Sequence, residues 1–277
     1  MSYDVLVIGG GPAGLSAAVN ARARGASVLV VSNPLEENPL WPSKLVDNHL
    51  GMGGMSGADM LKAFRAHAES AGAEFRTGKV LNSLRMGENW YVSIGTDMEH
   101  ARAVVLAAGV ARGKKFPGEA EFLGRGVSYC ATCDGMLYRG KEVAVLGYSE
   151  SAAAEAEFLA EIGCSVTYFD RPKDCRIEGV RAVERITCDG ETIPVEAVFI
   201  LRPTMAPAEL FPGLAVENGY VTVSRNMETN LEGVFAAGDC TGGPLQVSKA
   251  VGEGLVAGQC AAMYVSELKR KETLKNK

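Results

Sequence analysis

Short apolar runs alternate with glycine-rich turns along the chain, a pattern that predicts buried parallel strands followed by helices. The first run, residues 4–8 (DVLVI), leads into GGGPAG at 9–14 and then into a helical stretch that ends near Arg24. Residues 27–31 form the next apolar run and complete the front of a β-α-β unit. This order of elements predicts an α/β fold with a parallel sheet.

The same order of elements returns roughly 136 residues later, which predicts two related dinucleotide-type domains. KEVAVLG begins at Lys141, helical residues follow, and CSVTYFD at 164–170 is the next predicted strand. The remaining predictions are a long loop over 33–56, a helix capped by Ser56 and Asp59 that reaches about Ala71, short strands over 73–108, strands in VRAVERIT and IPVEAVFIL, a late strand and turn in GVFAAGDC at 233–240, and a helix from Gln246 to about Leu268.

Composition and charge exclude several classes of protein. The 277 residues are 47% hydrophobic, which supports a sizeable core, and the net charge of -5 argues against nucleic acid or an anionic membrane as the main partner. No apolar run approaches the roughly 20 residues of a membrane span, and no signal peptide is visible. Seven scattered cysteines do not resemble a secreted disulfide framework, so we expect a cytoplasmic protein.

The first glycine loop indicates a dinucleotide site because it lies between a predicted strand and a predicted helix. Gly9 allows the tight turn, Gly11 lets a pyrophosphate approach the backbone, and Gly14 lets the helix pack closely on the strand. The acidic residue expected at the end of the second strand is missing, since Ser32 and Asn33 stand there. Glu36 or Glu37 could substitute for it, or the ribose could be held in another way.

The motif CATCDG at 130–135 allows three interpretations: half of a zinc site, a structural link or a redox pair. Zinc needs about four ligands, but there is no second Cys-x-x-Cys pair and the three histidines lack metal spacing, so we expect no metal and favour redox chemistry. The other cysteines are predicted to be core or surface thiols, with a redox role left open for Cys240: Cys164, Cys175, Cys188, Cys240 and Cys260.

These two motifs and four others along the chain together resemble those of a known family. These motifs are GGGPAG at 9–14, DNHLG at 47–51, LAAG at 106–109, YCATCDG at 129–135, GVFAAGD at 233–239 and Gln246-Val247 before a helix. Together they resemble the low-molecular-weight thioredoxin reductases over nearly the whole chain. The resemblance implies two Rossmann-like three-layer domains, an FAD-binding domain of residues 1–112 and 203–277 and an inserted, shortened domain of residues 113–202 that carries the cysteine pair.

The resemblance also implies roles for individual residues. The residues expected at the FAD are Gly9, Gly11, Pro12, Ala13, Gly14, Asn33, Asn48, Ala108, Gly109, Gly238, Asp239, Gln246 and Val247. From the residues alone, the Asp239 carboxylate could equally accept hydrogen bonds from ribityl hydroxyls or form an Asx turn. By resemblance Cys133 faces the flavin, Cys130 attacks the partner disulfide and Asp134 is the acid/base, while the Cys-x-x-Cys pair supplies a thiolate near neutral pH.

The second glycine loop departs from the NADPH-dependent members of the family. Those members have the pattern G-x-G-x-x-A, whereas this chain has Gly147-Tyr148-Ser149-Glu150-Ser151-Ala152. Ser149 therefore stands in place of a glycine, and Glu150 adds negative charge. The place of the family's His-Arg-Arg, which holds the 2′-phosphate, reads Asp170-Arg171-Pro172, and only about 30 residues separate Phe169 from Phe199. The flavin-side motifs are also altered, to Asn38-Pro39-Leu40 and to Leu245 before Gln246.

These departures resemble the smaller group of flavin thioredoxin reductases that take electrons from reduced ferredoxin. We therefore expect reduced ferredoxin as the donor and thioredoxin or a thioredoxin-like protein as the acceptor. Asp170 leaves an NADH-dependent enzyme open, and an NADPH-dependent enzyme or a deazaflavin donor also remains. The resemblance implies a homodimer with rotating domains. Two further hypotheses stay open: a disulfide reductase that feeds a peroxidase, and a non-enzymatic flavin-binding regulator.

Overall fold

The structure is a computed structural model that describes residues 2–110, 115–149, 151–202 and 206–275. The chain divides into two compact units, the first formed by residues 1–111 and 204–277 and the second by residues 112–203. The predicted domain boundaries fall at or beside residues of which nothing is described. The first segment contains β1 (Ser2–Ile8), α1 (Pro12–Arg22), β2 (Val28–Ser32), α2 (Gly57–Ser70), β3 (Glu74–Thr77), β4 (Val80–Met86), β5 (Asn89–Ile94) and β6 (Asp97–Leu106).

The second unit and the C-terminal segment contain the remaining elements. The second unit has β7 (Val127–Ser128), α3 (Ala131–Asp134), β8 (Glu142–Gly147), α4 (Ala152–Glu161), β9 (Ser165–Asp170), β10 (Cys175–Gly179), β11 (Val183–Cys188), β12 (Glu191–Pro194) and β13 (Ala197–Leu201). The C-terminal segment has α5 (Pro207–Leu210), β14 (Val216–Glu217), β15 (Tyr220–Val221), β16 (Val234–Ala236) and α6 (Val247–Lys275).

The main sheet of the first unit has the order β3-β2-β1-β6-β5-β4, and β16 also pairs with β6. Strands β3, β2, β1, β6 and β16 run parallel, whereas β5 is antiparallel to both β6 and β4. Both faces of β1 are buried: Val5 and Val7 join the core that contains Ala17 and other residues of α1 and α6, while Leu6 and Ile8 join the opposite core. Burial on both sides explains the continuous apolar run.

The second unit is built on a parallel sheet of order β7-β13-β8-β9, with a separate antiparallel sheet of order β10-β11-β12. Val143 and Val145 of β8 pack with Leu159 of α4 and Phe199 of β13 in its core. The fold is therefore mixed α/β with parallel sheets, as the apolar pattern predicts.

The local predictions are partly confirmed. The Ser56 hydroxyl accepts a hydrogen bond from the Asp59 amide at 3.1 Å, so this pair caps α2 as expected. The last helix is longer than predicted and reaches Lys275, because its final turns are polar and carry no apolar periodicity to mark their extent. The predicted strand IPVEAVFIL is divided between β12 and β13. In the described parts of the chain, no helix is both long and apolar enough to cross a membrane.

Candidate active site

The turn between β1 and α1 requires the first glycine loop. Gly9 has a φ of 113°, and a Cβ there would lie 2.2 Å from the Ala107 carbonyl oxygen, while a Cβ on Gly14 would lie 1.9 Å from the Gly9 carbonyl oxygen. Gly11 is the N-cap of α1 and offers no side chain to the first amides of this helix, and Pro12 begins the helix. The helix start therefore keeps backbone N–H groups that suit a phosphate.

The loop that begins at Gly238 packs directly on this turn. Gly238 has a φ of 87°, and a Cβ there would lie 2.7 Å from the Ala13 Cβ. The Gly238 amide donates to the Glu253 carboxylate at 2.8 Å, and the Lys249 ammonium donates to the Gly238 carbonyl at 2.8 Å. Asp239, next in the chain, begins a 3₁₀ turn that ends at Thr241. The glycine loop and the Gly238-Asp239 pair thus form one surface of the first unit.

Lys249 and Glu253 are functional candidates that the sequence analysis missed. Besides their contacts with Gly238, Lys249 donates to the Gly242 carbonyl at 2.6 Å, and Glu253 accepts a hydrogen bond from the Thr241 hydroxyl at 2.8 Å. They also form an ion pair with each other at 3.1 Å. Their i, i+4 spacing on the predicted last helix was a usable signal, although such spacing is also common on solvated helix faces.

The other residues expected near the flavin lie in the same unit, on loops or at the start of α6. Asn48 Nδ2 of the side chain donates to Gln246 Oε1 at 2.7 Å, which joins two motifs 198 residues apart. Val247 is the first residue of α6. Ala108 and Gly109 follow the end of β6. At the end of β2, Asn33 donates to the Glu37 carboxylate at 2.9 Å, so an acidic side chain does stand near this strand end.

This surface fits a flavin dinucleotide. The β1–α1 turn would offer backbone amides to the pyrophosphate, and the Gly238 loop meets that turn closely enough that a single added methyl group would clash. The polar side chains of Asn33, Asn48, Asp239 and Gln246 lie on the loops that follow the strands or precede α6. In the described part of the chain, no cluster of three or more His, Cys, Asp or Glu could hold a metal ion.

Cys130 and Cys133 lie in the second unit and form a disulfide with a Cα–Cα distance of 5.4 Å. Cys130 is the N-cap of α3, and the Cys133 amide donates to the Cys130 sulfur at 3.2 Å. Thr132 Oγ1 lies 3.4 Å from the same sulfur. Cys130 is half-buried and Cys133 is exposed. On reduction, the amide contact would stabilise a thiolate on Cys130, because a hydrogen bond to a charged sulfur favours its charged form.

Asp134 is held by a neighbouring hydroxyl group. Ser128, which is buried, donates to Asp134 Oδ2 at 2.7 Å, and its oxygen accepts a hydrogen bond from the Cys130 amide at 3.1 Å. One serine therefore connects the carboxylate and the first cysteine of the pair. Ser128 is a positioning candidate that sequence reasoning missed, since a serine two residues before a cysteine has no distinctive local pattern.

The second glycine turn, after β8, is closed by hydrogen bonds and ring contacts with other residues of the second unit. The amides of Tyr148 and Ser149 both donate to the Leu201 carbonyl, at 2.9 and 3.0 Å. The Tyr148 ring stacks on Phe116 with ring centroids 6.3 Å apart, and its hydroxyl donates to the Pro172 carbonyl at 2.6 Å. Burial raises the pKa of Tyr148 to about 12. Glu150, the other predicted departure at this turn, lies outside the described residues.

A buried ion pair supports the closed turn. The Arg202 guanidinium donates to both oxygens of Glu119, at 2.5 and 2.9 Å, and lies 5.6 Å from the centre of the Phe116 ring and 5.8 Å from that of Tyr148. Glu119 is 0% exposed and also accepts from the Phe116 amide and the Tyr129 hydroxyl. Burial opposes its ionisation, but these hydrogen bonds and the charge of Arg202 hold the pKa of Glu119 below its usual value.

The remaining cysteines are only partly as predicted. Cys164, Cys240 and Cys260 are free thiols, but the prediction of thiols at Cys175 and Cys188 is wrong, because these two form a second disulfide. Disulfide connectivity could not be read from the sequence because the partners meet only when β10 pairs with β11. Cys240 is buried and donates to backbone carbonyls, and burial raises the pKa of its thiol to about 12. Such a thiol is a poor nucleophile.

Comparison with known proteins agrees with these features. The family model described as pyridine nucleotide-disulphide oxidoreductase matches residues 3–180 and 172–254. The chain belongs to this family. The thioredoxin reductase of Bacillus subtilis (strain 168) is 33% identical to it, over 99% of this chain and 97% of the relative. The protein is therefore an oxidoreductase, and its cofactor is FAD.

Solved structures give the same assignment. A ferredoxin-flavin thioredoxin reductase from Clostridium acetobutylicum matches with a TM-score of 0.92 and 35% identity, over 97% of this chain and 99% of that chain. A thioredoxin reductase from Gloeobacter violaceus matches with a TM-score of 0.83 and 28% identity, over 96% of this chain and 95% of that chain. Members of the thioredoxin reductase group thus resemble this oxidoreductase in both sequence and fold.

Proposed function

We propose that this flavoenzyme reduces the disulfide of thioredoxin or of a thioredoxin-like protein through Cys130 and Cys133. The similarity to thioredoxin reductases over nearly the whole chain supports the acceptor, and the disulfide between the two cysteines supplies the redox group. We assign the first unit as the FAD-binding domain and the second as the domain that carries the cysteine pair. The proposed setting is the cytoplasm, where disulfide reductases keep protein thiols reduced.

The proposed electron donor is reduced ferredoxin rather than NADPH. The observation that carries this proposal is the closed turn after β8, where the amides of Tyr148 and Ser149 both bond to the Leu201 carbonyl. In a dinucleotide site the backbone of this turn approaches the pyrophosphate beside the helix N-terminus, so two amides that already bond inside the protein cannot also bind it. Phe116 and Arg202 pack against Tyr148 and add bulk to the same turn. The similarity to a ferredoxin-flavin thioredoxin reductase supports the same donor.

The chain's own residues have separate roles in the reaction that we propose. When bound, FAD would supply the redox chemistry that links the electron donor to the two-electron reduction of the cysteine disulfide. The residues that would hold it are Gly9, Gly11, Pro12, Ala13, Gly14, Asn33, Asn48, Ala108, Gly109, Gly238, Asp239, Gln246 and Val247. The close packing of the Gly9 turn and the Gly238 loop, together with the contact between Asn48 and Gln246, supports this set.

Thiol–disulfide exchange with the acceptor would begin at Cys130. Its sulfur receives the Cys133 amide, which would stabilise the thiolate that attacks the acceptor disulfide. Cys133 would then displace the reduced acceptor from the mixed disulfide, and it would be the cysteine that faces the flavin. Asp134 would deliver or accept the accompanying proton, held in place by Ser128.

NADH is the second candidate donor. Asp170 ends β9 and pairs in register with Gly147, which is the position of the acid that binds a ribose 2′-hydroxyl in NADH enzymes. The closed turn argues against it, since two turn amides that would face a pyrophosphate bond to the Leu201 carbonyl instead. A reductase that feeds a peroxidase would differ only in its acceptor. We also propose, from the family resemblance, a homodimer with rotating domains; light scattering of the purified protein measures its mass directly and tests the dimer.

An anaerobic titration of the oxidised flavoenzyme tests the donor. NADPH, NADH and reduced ferredoxin are added separately while the oxidised flavin absorbance is recorded, and thioredoxin reduction is then followed with the same donors. We expect rapid bleaching and turnover with reduced ferredoxin alone. Rapid bleaching by NADPH or NADH would overturn the proposed donor. A Cys130→Ser variant is the matched control, because its flavin should still bleach while thioredoxin stays oxidised.

A further inference from the structure

The second disulfide, Cys175–Cys188, lies away from the cysteine pair in the sequence and has no part in the proposed reaction. Cys175 of β10 and Cys188 of β11 are directly opposite in the antiparallel register, with a Cα–Cα distance of 4.2 Å. This spacing is that of a non-hydrogen-bonded cross-strand pair, in which side chains approach closely. Both residues are 1% exposed.

Burial separates this disulfide chemically from Cys130–Cys133. Reduction by a dithiol requires a thiolate to reach one sulfur and form a mixed disulfide. Cys133 is exposed and meets that condition, whereas Cys175 and Cys188 are covered by the rest of the unit. A disulfide that persists within an enzyme that produces dithiols must be protected from exchange with those dithiols, and burial provides that protection.

The segment next to the disulfide is tied to the turn after β8. The amides of Lys173 and Asp174 both donate to Asp189 Oδ1, at 3.1 and 2.9 Å, and the Asp189 amide donates back to the Asp174 carbonyl at 2.7 Å. Asp174 and Asp189 are the immediate neighbours of Cys175 and Cys188. The disulfide therefore closes a small clamp at the open end of the β10–β11 hairpin.

The clamp is continuous in sequence with two residues, Arg171 and Pro172, that contact the turn after β8. The Pro172 carbonyl accepts the Tyr148 hydroxyl at 2.6 Å, and the Arg171 amide donates to the Gly147 carbonyl at 2.9 Å. The clamped residues 173 and 174 therefore restrain residues 171 and 172. Residues 171 and 172 in turn hydrogen-bond to the turn after β8. Movement of this segment would remove the partner of the Tyr148 hydroxyl.

We propose that Cys175–Cys188 stays oxidised while Cys130–Cys133 cycles, and that it acts as a positioning disulfide for the segment that seats Tyr148. No covalent change occurs at Cys175–Cys188 during turnover, since the two electrons and two protons of each cycle go to Cys130–Cys133. The positional half rests on the function proposed above, because it matters for the donor only if Tyr148 closes the turn against a nucleotide.

Electron counting on the wild-type holoenzyme tests the redox half. An anaerobic dithionite titration should take up four electrons per chain, two for FAD and two for the Cys130–Cys133 disulfide. Uptake of six electrons would overturn the proposal. After excess dithiothreitol under native conditions, alkylation and peptide mass spectrometry should find Cys130 and Cys133 modified and Cys175 and Cys188 still linked. Free thiols at Cys175 and Cys188 in the oxidised enzyme would also overturn it.

Hydrogen exchange tests the positional half. In a Cys175→Ala, Cys188→Ala double variant, amide exchange should rise more than tenfold over residues 171–174 and 147–149, with little change at β13. The matched control is Cys164→Ala, which removes a buried free thiol from the same unit and should leave residues 171–174 protected. A uniform rise across the second unit would show a purely structural role. The donor does not enter either measurement, so failure of the donor proposal would be seen separately.

Discussion

The substitution Glu119→Gln would break the most buried ion pair described in the second unit. Glu119 is 0% exposed and accepts hydrogen bonds from Arg202, Phe116 and Tyr129. Glutamine keeps the shape but leaves the Arg202 charge without its counterion. Removal of one partner of a buried pair costs about 3–5 kcal/mol. We expect the lower end, about 3 kcal/mol, because the Arg202 guanidinium keeps its contacts with the rings of Phe116 and Tyr148.

Labelling of Cys164 provides the assay. In the oxidised protein Cys164 is the free thiol of the second unit within the described residues, and it is buried, so reagent reaches it only when the unit opens. A loss of about 3 kcal/mol corresponds to labelling roughly 100-fold faster when opening is in rapid equilibrium. Cys240 of the first unit is the internal reference, and Glu121→Gln, an exposed glutamate nearby, is the control variant. Acceleration of labelling below about fivefold would refute the reasoning, because the energetic loss would then be no larger than that of breaking an exposed ion pair.

The same variant predicts a pH dependence. The pKa of Glu119 is lower in the folded protein than its usual value of 4.5, so its stabilisation is complete above that value and is lost as pH falls through the folded pKa. The difference in unfolding free energy between wild type and Glu119→Gln should therefore be constant near neutral pH and shrink below about pH 4.5. Urea unfolding followed by circular dichroism measures it. A difference that persists unchanged to pH 3 would contradict a lowered pKa.

Three further predictions concern the site. Gly238→Ala should weaken FAD binding roughly tenfold, since it combines a positive φ with a clash against Ala13; flavin absorbance per chain measures this, and Gly252→Ala, with open space at its Cβ, should keep full occupancy. Ser128→Ala should slow thioredoxin reduction roughly tenfold with FAD retained, and an unchanged rate would remove this serine from the mechanism. Cys240 should resist alkylation in the folded enzyme at pH 8, and peptide mass spectrometry that finds it modified would contradict its burial.

Local patterns predicted much of the fold. The run DVLVI, the helix cap at Ser56 and the second strand–turn–helix at Lys141 each specify structure through neighbouring residues, and the structure contains an element at each place. The length of α6 was underestimated, because a polar, solvated helix end lacks the apolar periodicity from which helices are predicted. Signals of this kind extend over a turn or a strand and carry no information about distant partners.

The features missed at the site all depend on distant contacts. Glu119 and Arg202 are 83 residues apart, and neither has a neighbour that marks it as buried. Cys175 and Cys188 look like ordinary thiols until the register of β10 and β11 places them opposite each other. The family resemblance did show that Ser149 stands where NADPH-dependent members have a glycine. It could not show that the amides of the turn bond to Leu201, because that contact depends on how β8 and β13 pair.

The two units contain the same strand–turn–helix but differ in how the turn is packed. Neither α1 after β1 nor α4 after β8 has a side-chain cap, so the difference lies in the turns that precede these helices. After β8 two amides bond to a carbonyl at the end of β13, and Tyr148 covers the turn. A substitution that only restored glycine at Ser149 would leave the Leu201 contacts and the Arg202–Glu119 pair in place. Nucleotide binding in the second unit is therefore opposed by several contacts at once, which explains why one residue's identity is a weak guide to the donor.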